Sequence, residues 1–147
     1  MVFKKIINDP YKVVDEMIDG IVLAHHDILK FANNNNRAVV RKDAPIKDKV
    51  GILIGGGSGH EPAFVGYVGK GLADGAAIGN VFASPSPDPI VDATKAISGG
   101  KGVIYMYGNY AGDIMNFDMA AELCDADGIP VKTVLVTDDI ASASIEN

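Results

Sequence analysis

Residues 50–62 have the sequence VGILIGGGSGHEP, in which a short apolar run precedes a glycine-rich segment. The run from Val50 to Ile54 is typical of a buried strand, and the following glycines predict a loop at 55–61. The same arrangement recurs, with strands predicted at 76–78, 103–107 and 131–136 and helices at 88–97 and 113–127. This alternation predicts a single α/β domain whose parallel or mostly parallel sheet carries helices on both faces.

The beginning of the chain predicts one long helix and one short strand. Asp9-Pro10 is typical of a helix start, with proline in the first turn. Apolar residues then recur at three- and four-residue steps, which predicts an amphipathic helix up to about Phe31. Residues 33–36 are expected to form a polar loop, residues 38–40 a strand, and the segment after Pro62 a short helix.

Composition and charge restrict the possible partners. The chain has 147 residues, is 48% hydrophobic and carries a net charge of −6. These values indicate one globular domain and disfavour nucleic acid or an anionic membrane as the partner. No apolar run suits a membrane span or a signal peptide, which predicts a cytoplasmic protein. The single cysteine, Cys124, excludes an internal disulfide and is expected in the core.

The unusual loops all follow predicted strands. They cover residues 55–61, 79–88, 108–113 and 137–139 and contain many of the 17 glycines. Because the carboxyl ends of parallel strands meet at one edge of a sheet, these loops should surround a ligand site there.

The standard nucleotide and esterase motifs do not fit the first of these loops. A Walker A motif requires Lys after its last glycine, whereas His60 follows Gly59. His60 also stands where a dinucleotide fingerprint needs its third glycine and where an esterase elbow around Ser58 needs its second. The loop can still present backbone N–H groups to a small, oxygen-rich ligand.

Three polar positions allow two interpretations each. His60 suits general acid or base work on a hydroxyl, since imidazole exchanges protons near neutral pH, or it bonds a neighbouring loop. Asp113 caps the following helix or points toward His60 and the ligand. Asp138-Asp139 binds Mg²⁺ or, as is favoured because a lone Asp pair does not specify a metal site, forms a solvated turn. His25 and His26 are expected to be surface or packing residues.

Three segments resemble the dihydroxyacetone kinase family. They are GGGSGHEP at 55–62, FASPSPD at 82–88 and NYAGDIMNF at 109–117. The resemblance is to the N-terminal domain of the substrate-binding subunit, and it extends over essentially the whole of residues 1–147. It implies the α/β domain already predicted from the alternation of strands and helices.

The resemblance also implies an activity. The family binds dihydroxyacetone or a similar short ketose and transfers a phosphoryl group to its terminal hydroxyl, in glycerol and dihydroxyacetone catabolism. By the resemblance, Gly57, Ser58, Gly59 and His60 contact the substrate, with His60 as general base, and Asp113 hydrogen-bonds and polarises the same region. No metal site is expected in this chain.

Partners follow from the same resemblance. The phosphoryl donor is held by another subunit or domain, either as ATP or as an ADP cofactor that a phosphotransferase-system carrier protein re-phosphorylates. The chain itself is expected to bind no nucleotide, and a homodimer is expected.

Two departures from the family pattern leave the function open. The family usually has Lys where this chain has Gly108. The family subunit is also much longer, and its later half supplies the His that forms a covalent hemiaminal with the substrate carbonyl. The alternatives are therefore a kinase subunit, a non-catalytic ketose-binding paralogue that co-regulates transcription, or a fragment that shares only the fold.

Overall fold

Six strands and three helices form the part of the chain that this computed structural model describes, residues 5–33 and 35–142. The helices are α1 (Val13–Ala24), α2 (Pro87–Ile97) and α3 (Ala111–Ala126). The strands are β1 (Leu29–Ala32), β2 (Asn35–Arg41), β3 (Gly51–Ser58), β4 (Gly75–Val81), β5 (Val103–Gly108) and β6 (Val131–Val136). The predicted single α/β domain is confirmed.

The strands form one mixed sheet in the order β1-β2-β4-β3-β5-β6. Strand β3 pairs in parallel with β4 and β5, and β5 pairs in parallel with β6. The antiparallel strands β1 and β2 extend the sheet beyond β4. The mostly parallel sheet is therefore confirmed, and the loops after β3, β4, β5 and β6 all leave it at one edge.

Helices cover both faces of the sheet because side chains alternate along each strand. Val39 and Ile54 pack with α1, whereas Val40 and Leu53 pack with α2 and α3. Val14, Ile18 and Val22 form the buried stripe of α1. Within the described ranges, no helix combines the length and the hydropathy needed to cross a bilayer.

The predicted first helix is too long, because α1 ends at Ala24 and β1 begins at Leu29. The spacing of Ile28, Leu29 and Phe31 fits a helix as well as a short strand. Pairing with β2 decides between them: Leu29 lies opposite Arg41, and Phe31 opposite Val39. That partner is distant in sequence, so local periodicity does not reveal it.

Three further boundaries differ from the prediction. Asn35 and Asn36 belong to β2, where a polar loop was predicted. The segment after Pro62 forms a single 3-10 turn, Val65–Tyr67. Strand β3 continues through the glycines as far as Ser58, where a loop was predicted. A Cβ at Gly55 would lie 2.5 Å from the Ala77 carbonyl oxygen, so the neighbouring backbone requires glycine there.

Cys124 lies in the core, as predicted. It is fully buried in α3, and the Tyr105 hydroxyl lies 3.8 Å from its sulfur. A buried thiol in apolar surroundings is a packing residue rather than a nucleophile.

Candidate functional site

A cavity of about 390 Å³ lies at the carboxyl ends of β3, β5 and β6. Its apolar lining includes Ile54, Phe64, Tyr67, Met106 and Val136. Its polar groups come from the loops that follow the strands: His60, Tyr110, Asp113 and Asp139. An apolar concavity with a few converging polar groups is typical of a small-molecule site.

His60 lies at this cavity on the loop that leaves β3. Its side chain is exposed, and its ring centroid lies 5.2 Å from that of Phe82, with the planes 64° apart. Glu61 shapes the same loop, since both of its carboxylate oxygens accept from the Gly59 N–H, at 3.1 and 3.0 Å. The imidazole is thus accessible to a ligand hydroxyl.

Asp113 lines the cavity together with His60. It is the third residue of α3, and Tyr110 occupies the N-cap position, so the interpretation of Asp113 as the cap is wrong. The side chain is buried, and within residues 5–33 and 35–142 its Oδ1 is the one buried side-chain oxygen or nitrogen without a hydrogen-bond partner. A carboxylate that lines a cavity can accept a hydrogen bond from a ligand hydroxyl.

Burial raises the pKa of Asp113 because it disfavours the charged carboxylate. A hydrogen bond with Ser84 and the charge of His60 oppose this increase. Glycine at position 112 leaves room for the Ser84 hydroxyl at the start of α3, since a Cβ there would lie 2.7 Å from that oxygen. The loop after β4 therefore tunes Asp113, a role of Ser84 that the sequence analysis missed.

Tyr110 and Asp139 supply the other polar groups of the cavity wall. The Tyr110 hydroxyl donates to Asp139 Oδ2 over 2.5 Å. This hydrogen bond raises the pKa of Tyr110 and lowers the pKa of Asp139, to which the Ala141 N–H also donates. The exposed side chain of Asp139 agrees with the favoured turn interpretation, but its place at the cavity and its bond to Tyr110 were not predicted.

The predicted substrate contacts separate into two groups. Gly57, His60 and Asp113 line the cavity. Ser58 is buried, and its hydroxyl donates to the Gly79 carbonyl at 2.8 Å. Gly59 donates to Glu61. Ser58 thus joins β3 to β4, and Gly59 shapes the loop that follows β3.

Two other expectations concern histidines and metals. His26 is exposed and lies 3.1 Å from the Leu23 carbonyl, while His25 borders a separate apolar cavity of about 300 Å³ beside α1. Across the described residues, no group of three or more His, Cys, Asp or Glu side chains could hold a metal ion.

Comparison with known proteins identifies relatives of this chain. The Dak1 domain matches residues 19–147. The chain is 55% identical over 140 residues to the PTS-dependent dihydroxyacetone kinase 2, dihydroxyacetone-binding subunit DhaK, of Listeria innocua. The match covers 95% of this chain and 42% of that protein. The chain thus spans about two fifths of the length of this curated relative.

Solved structures agree with this relationship. The crystal structure of the dihydroxyacetone kinase from C. freundii in complex with AMP-PNP and Mg²⁺ superposes with a TM-score of 0.87 at 38% identity, covering 95% of this chain and 26% of that one. The dihydroxyacetone kinase operon co-activator Dha-DhaQ superposes with a TM-score of 0.78 at 34% identity, covering 86% and 38%. The chain therefore belongs to the Dak1 domain family and is homologous to the N-terminal part of dihydroxyacetone-binding subunits of dihydroxyacetone kinases.

Proposed function

We propose that this chain binds dihydroxyacetone, or a similar short ketose, and presents its terminal hydroxyl for phosphorylation. Residues 1–147 would then be the N-terminal α/β domain of the substrate-binding subunit of a dihydroxyacetone kinase. The observation that carries the proposal is the convergence of His60 and Asp113 on one cavity. Gly57 lines the same cavity, while Ser58 and Gly59 support its wall.

His60 serves as the general base in this proposal. One imidazole nitrogen takes the proton of the terminal hydroxyl as the hydroxyl oxygen attacks the γ-phosphorus of the donor. The new O–P bond forms while the bond from that phosphorus to the ADP oxygen breaks, so the products are the ketose phosphate, ADP and a proton on His60. An exposed imidazole can return that proton to solvent.

Asp113 holds and polarises the hydroxyl. Its side chain lines the cavity beside His60, and a carboxylate there can accept a hydrogen bond from the substrate hydroxyl. The charge on His60 favours the ionised form of Asp113, and this carboxylate stabilises in return the imidazolium that forms during transfer.

The donor nucleotide belongs to a partner subunit or domain in this proposal. It is ATP, or ADP that a phosphotransferase-system carrier protein re-phosphorylates, as the names of PTS-dependent relatives suggest. The remaining part of a longer subunit would supply the covalent anchor for the substrate carbonyl. We further propose that the subunit acts as a homodimer in the cytoplasm, in the catabolism of glycerol and dihydroxyacetone.

Phosphoryl transfer to dihydroxyacetone by the full subunit, assembled with its donor subunit, tests the proposal. His60→Ala and Asp113→Asn should each abolish turnover. His26→Ala is the matched control, because that imidazole is exposed and away from the cavity, and it should retain full activity. An active His60→Ala variant would refute the assignment of the base.

A second candidate function is ketose binding without turnover, as part of a co-regulator of transcription. Gly108 favours it, since a glycine at the cavity wall offers no cation to the substrate or the phosphoryl group. A co-activator is also among the structural neighbours. Tight ketose binding by calorimetry, with no phosphate transfer in the assembled complex, would support the co-regulator and refute the kinase.

A further inference from the structure

Phe82 has an unusual conformation for a bulky residue. Its φ angle is +51°, in the left-handed region that side chains with a Cβ rarely occupy, and its side chain is 72% exposed. An exposed aromatic ring gains little from burial, so the hydrophobic effect does not explain why this backbone conformation is retained.

The ring of Phe82 contacts the loop that carries His60. The two rings meet edge to face, with centroids 5.2 Å apart. A Cβ at Gly59 would lie 2.7 Å from the Phe82 ring, and Gly59 itself has a φ of +101°. Glycine at this position therefore lets the aromatic ring lie directly against the turn that precedes the imidazole.

Backbone hydrogen bonds hold Phe82 in this place. Its N–H donates to the Ser58 carbonyl at 2.8 Å, and the next N–H, of Ala83, donates to Asn80 at 3.0 Å. Ser58 in turn donates its hydroxyl to Gly79. Ser58, at the end of β3, is thus bonded both to Phe82 and to Gly79 of β4. The sheet therefore determines the position of Phe82 relative to His60.

We propose that Phe82 is a positioning residue for His60, whose ring it holds in the orientation needed to receive a proton at the cavity. This inference rests on the proposed role of His60 as the base. Without the ring, the exposed imidazole would sample several rotamers, and only some of them would face the substrate hydroxyl. The loss of one aromatic pair should lower kcat by up to about tenfold.

Nuclear magnetic resonance of the chain tests the contact without any kinase assay. The ring protons of His60 should carry a ring-current shift that disappears in Phe82→Leu and persists in Phe82→Tyr. The resonances of His25 and His26 serve as internal references, and Tyr11→Leu, at an aromatic side chain that is 94% exposed, is the matched control. Unchanged His60 resonances in Phe82→Leu would overturn the proposal.

Kinetics of the full subunit with its donor subunit test the consequence. Phe82→Leu should lower kcat with little change in KM for dihydroxyacetone, and Phe82→Tyr should restore it. An increase in KM alone would overturn the positioning role, since it would place Phe82 among the substrate contacts. An unchanged kcat in Phe82→Leu would also overturn it. An inactive wild type would instead refute the proposed function, whereas the resonance measurement stands independently of that result.

Discussion

The Tyr110 hydroxyl donates to the Asp139 carboxylate over 2.5 Å, although the two residues are 29 positions apart in the sequence. One follows β5 and the other follows β6, so this hydrogen bond joins two loops at the wall of the cavity. The second Asp139 oxygen accepts from the Ala141 N–H at 2.9 Å, which orders the turn after β6. The ketose site proposed above therefore has a wall that depends on one phenol–carboxylate pair.

Removal of the phenol should change the titration of Asp139. Tyr110→Phe should move the pKa of Asp139 upward, toward the ordinary aspartate value, because the hydrogen bond from Tyr110 is the main cause of its lowered pKa. A lowered folded-state pKa stabilises the fold above the ordinary value, and this stabilisation is lost as the pH falls through the folded-state pKa. Carboxyl-carbon resonances measure the shift. Tyr11→Phe should leave it unchanged, and an identical Asp139 titration in Tyr110→Phe would contradict the assignment.

Asp113 should limit stability at neutral pH. Burial raises its pKa, so the folded chain holds this proton more tightly than the unfolded chain does. The corresponding stability is present below the ordinary aspartate pKa and is lost as the pH rises through the folded-state pKa. Asp113→Asn should therefore raise Tm at pH 7, and this gain should shrink toward zero in acid.

The same variant should lose ketose binding. Thermal unfolding at several pH values, combined with calorimetry against dihydroxyacetone, separates the two effects. A variant that is both destabilised at neutral pH and unable to bind would indicate that Asp113 supports the fold instead of the ligand.

Gly79 should tolerate no side chain. A Cβ there would overlap the Ala83 carbonyl oxygen, which is backbone and cannot rotate away. Gly79→Ala should lower the free energy of unfolding by about 1 to 3 kcal/mol or more. It should also disturb the bond from Ser58 to the Gly79 carbonyl. Gly69→Ala is the control, since a Cβ there meets no heavy atom within 4 Å. Urea unfolding of both variants checks the difference, and equal stabilities would contradict it.

A buried ion pair ties the sheet together at the edge opposite the cavity. Asp74 accepts from Arg41 at 3.0 Å, from the Ile52 N–H at 2.9 Å and from Lys49. Its side chain is 3% exposed and that of Arg41 is 8% exposed, whereas Asp43, the second carboxylate on Arg41, is 59% exposed.

Removal of the buried carboxylate should cost far more than removal of the exposed one. Asp74→Ala leaves the Arg41 charge partly uncompensated and should destabilise the chain by about 3 to 5 kcal/mol. Asp43→Ala should cost much less, because solvent screens an exposed ion pair. Chemical denaturation of the two variants measures both values. Similar losses would contradict this prediction, because they would mean that both carboxylates compensate the guanidinium equally.

Sequence patterns correctly predicted the parallel strands and the helices α2 and α3. Strand β6 has the predicted bounds, Val131–Val136, because it is rich in β-branched residues, begins directly after Pro130 and ends at the polar residues 137–139. The end of α1 and the start of β1 were not predicted, since Leu29 finds its partner Arg41 only through the hairpin. The glycines of β3 predicted a loop, but Gly55 and Gly56 pair with β4.

The sequence by itself determined the alternation of strands and helices and the placement of His60 and Asp113 shortly after parallel strands, at one edge of the sheet. These features depend on residue spacing and on the common direction of parallel strands, both of which are local or follow from the fold class. Only the tertiary structure decided that Asp113 is buried with an unpartnered oxygen, that Tyr110 bonds Asp139, and that Phe82 packs against His60. Each of these depends on contacts between loops from different strands, and the order of the strands in the sheet sets those contacts.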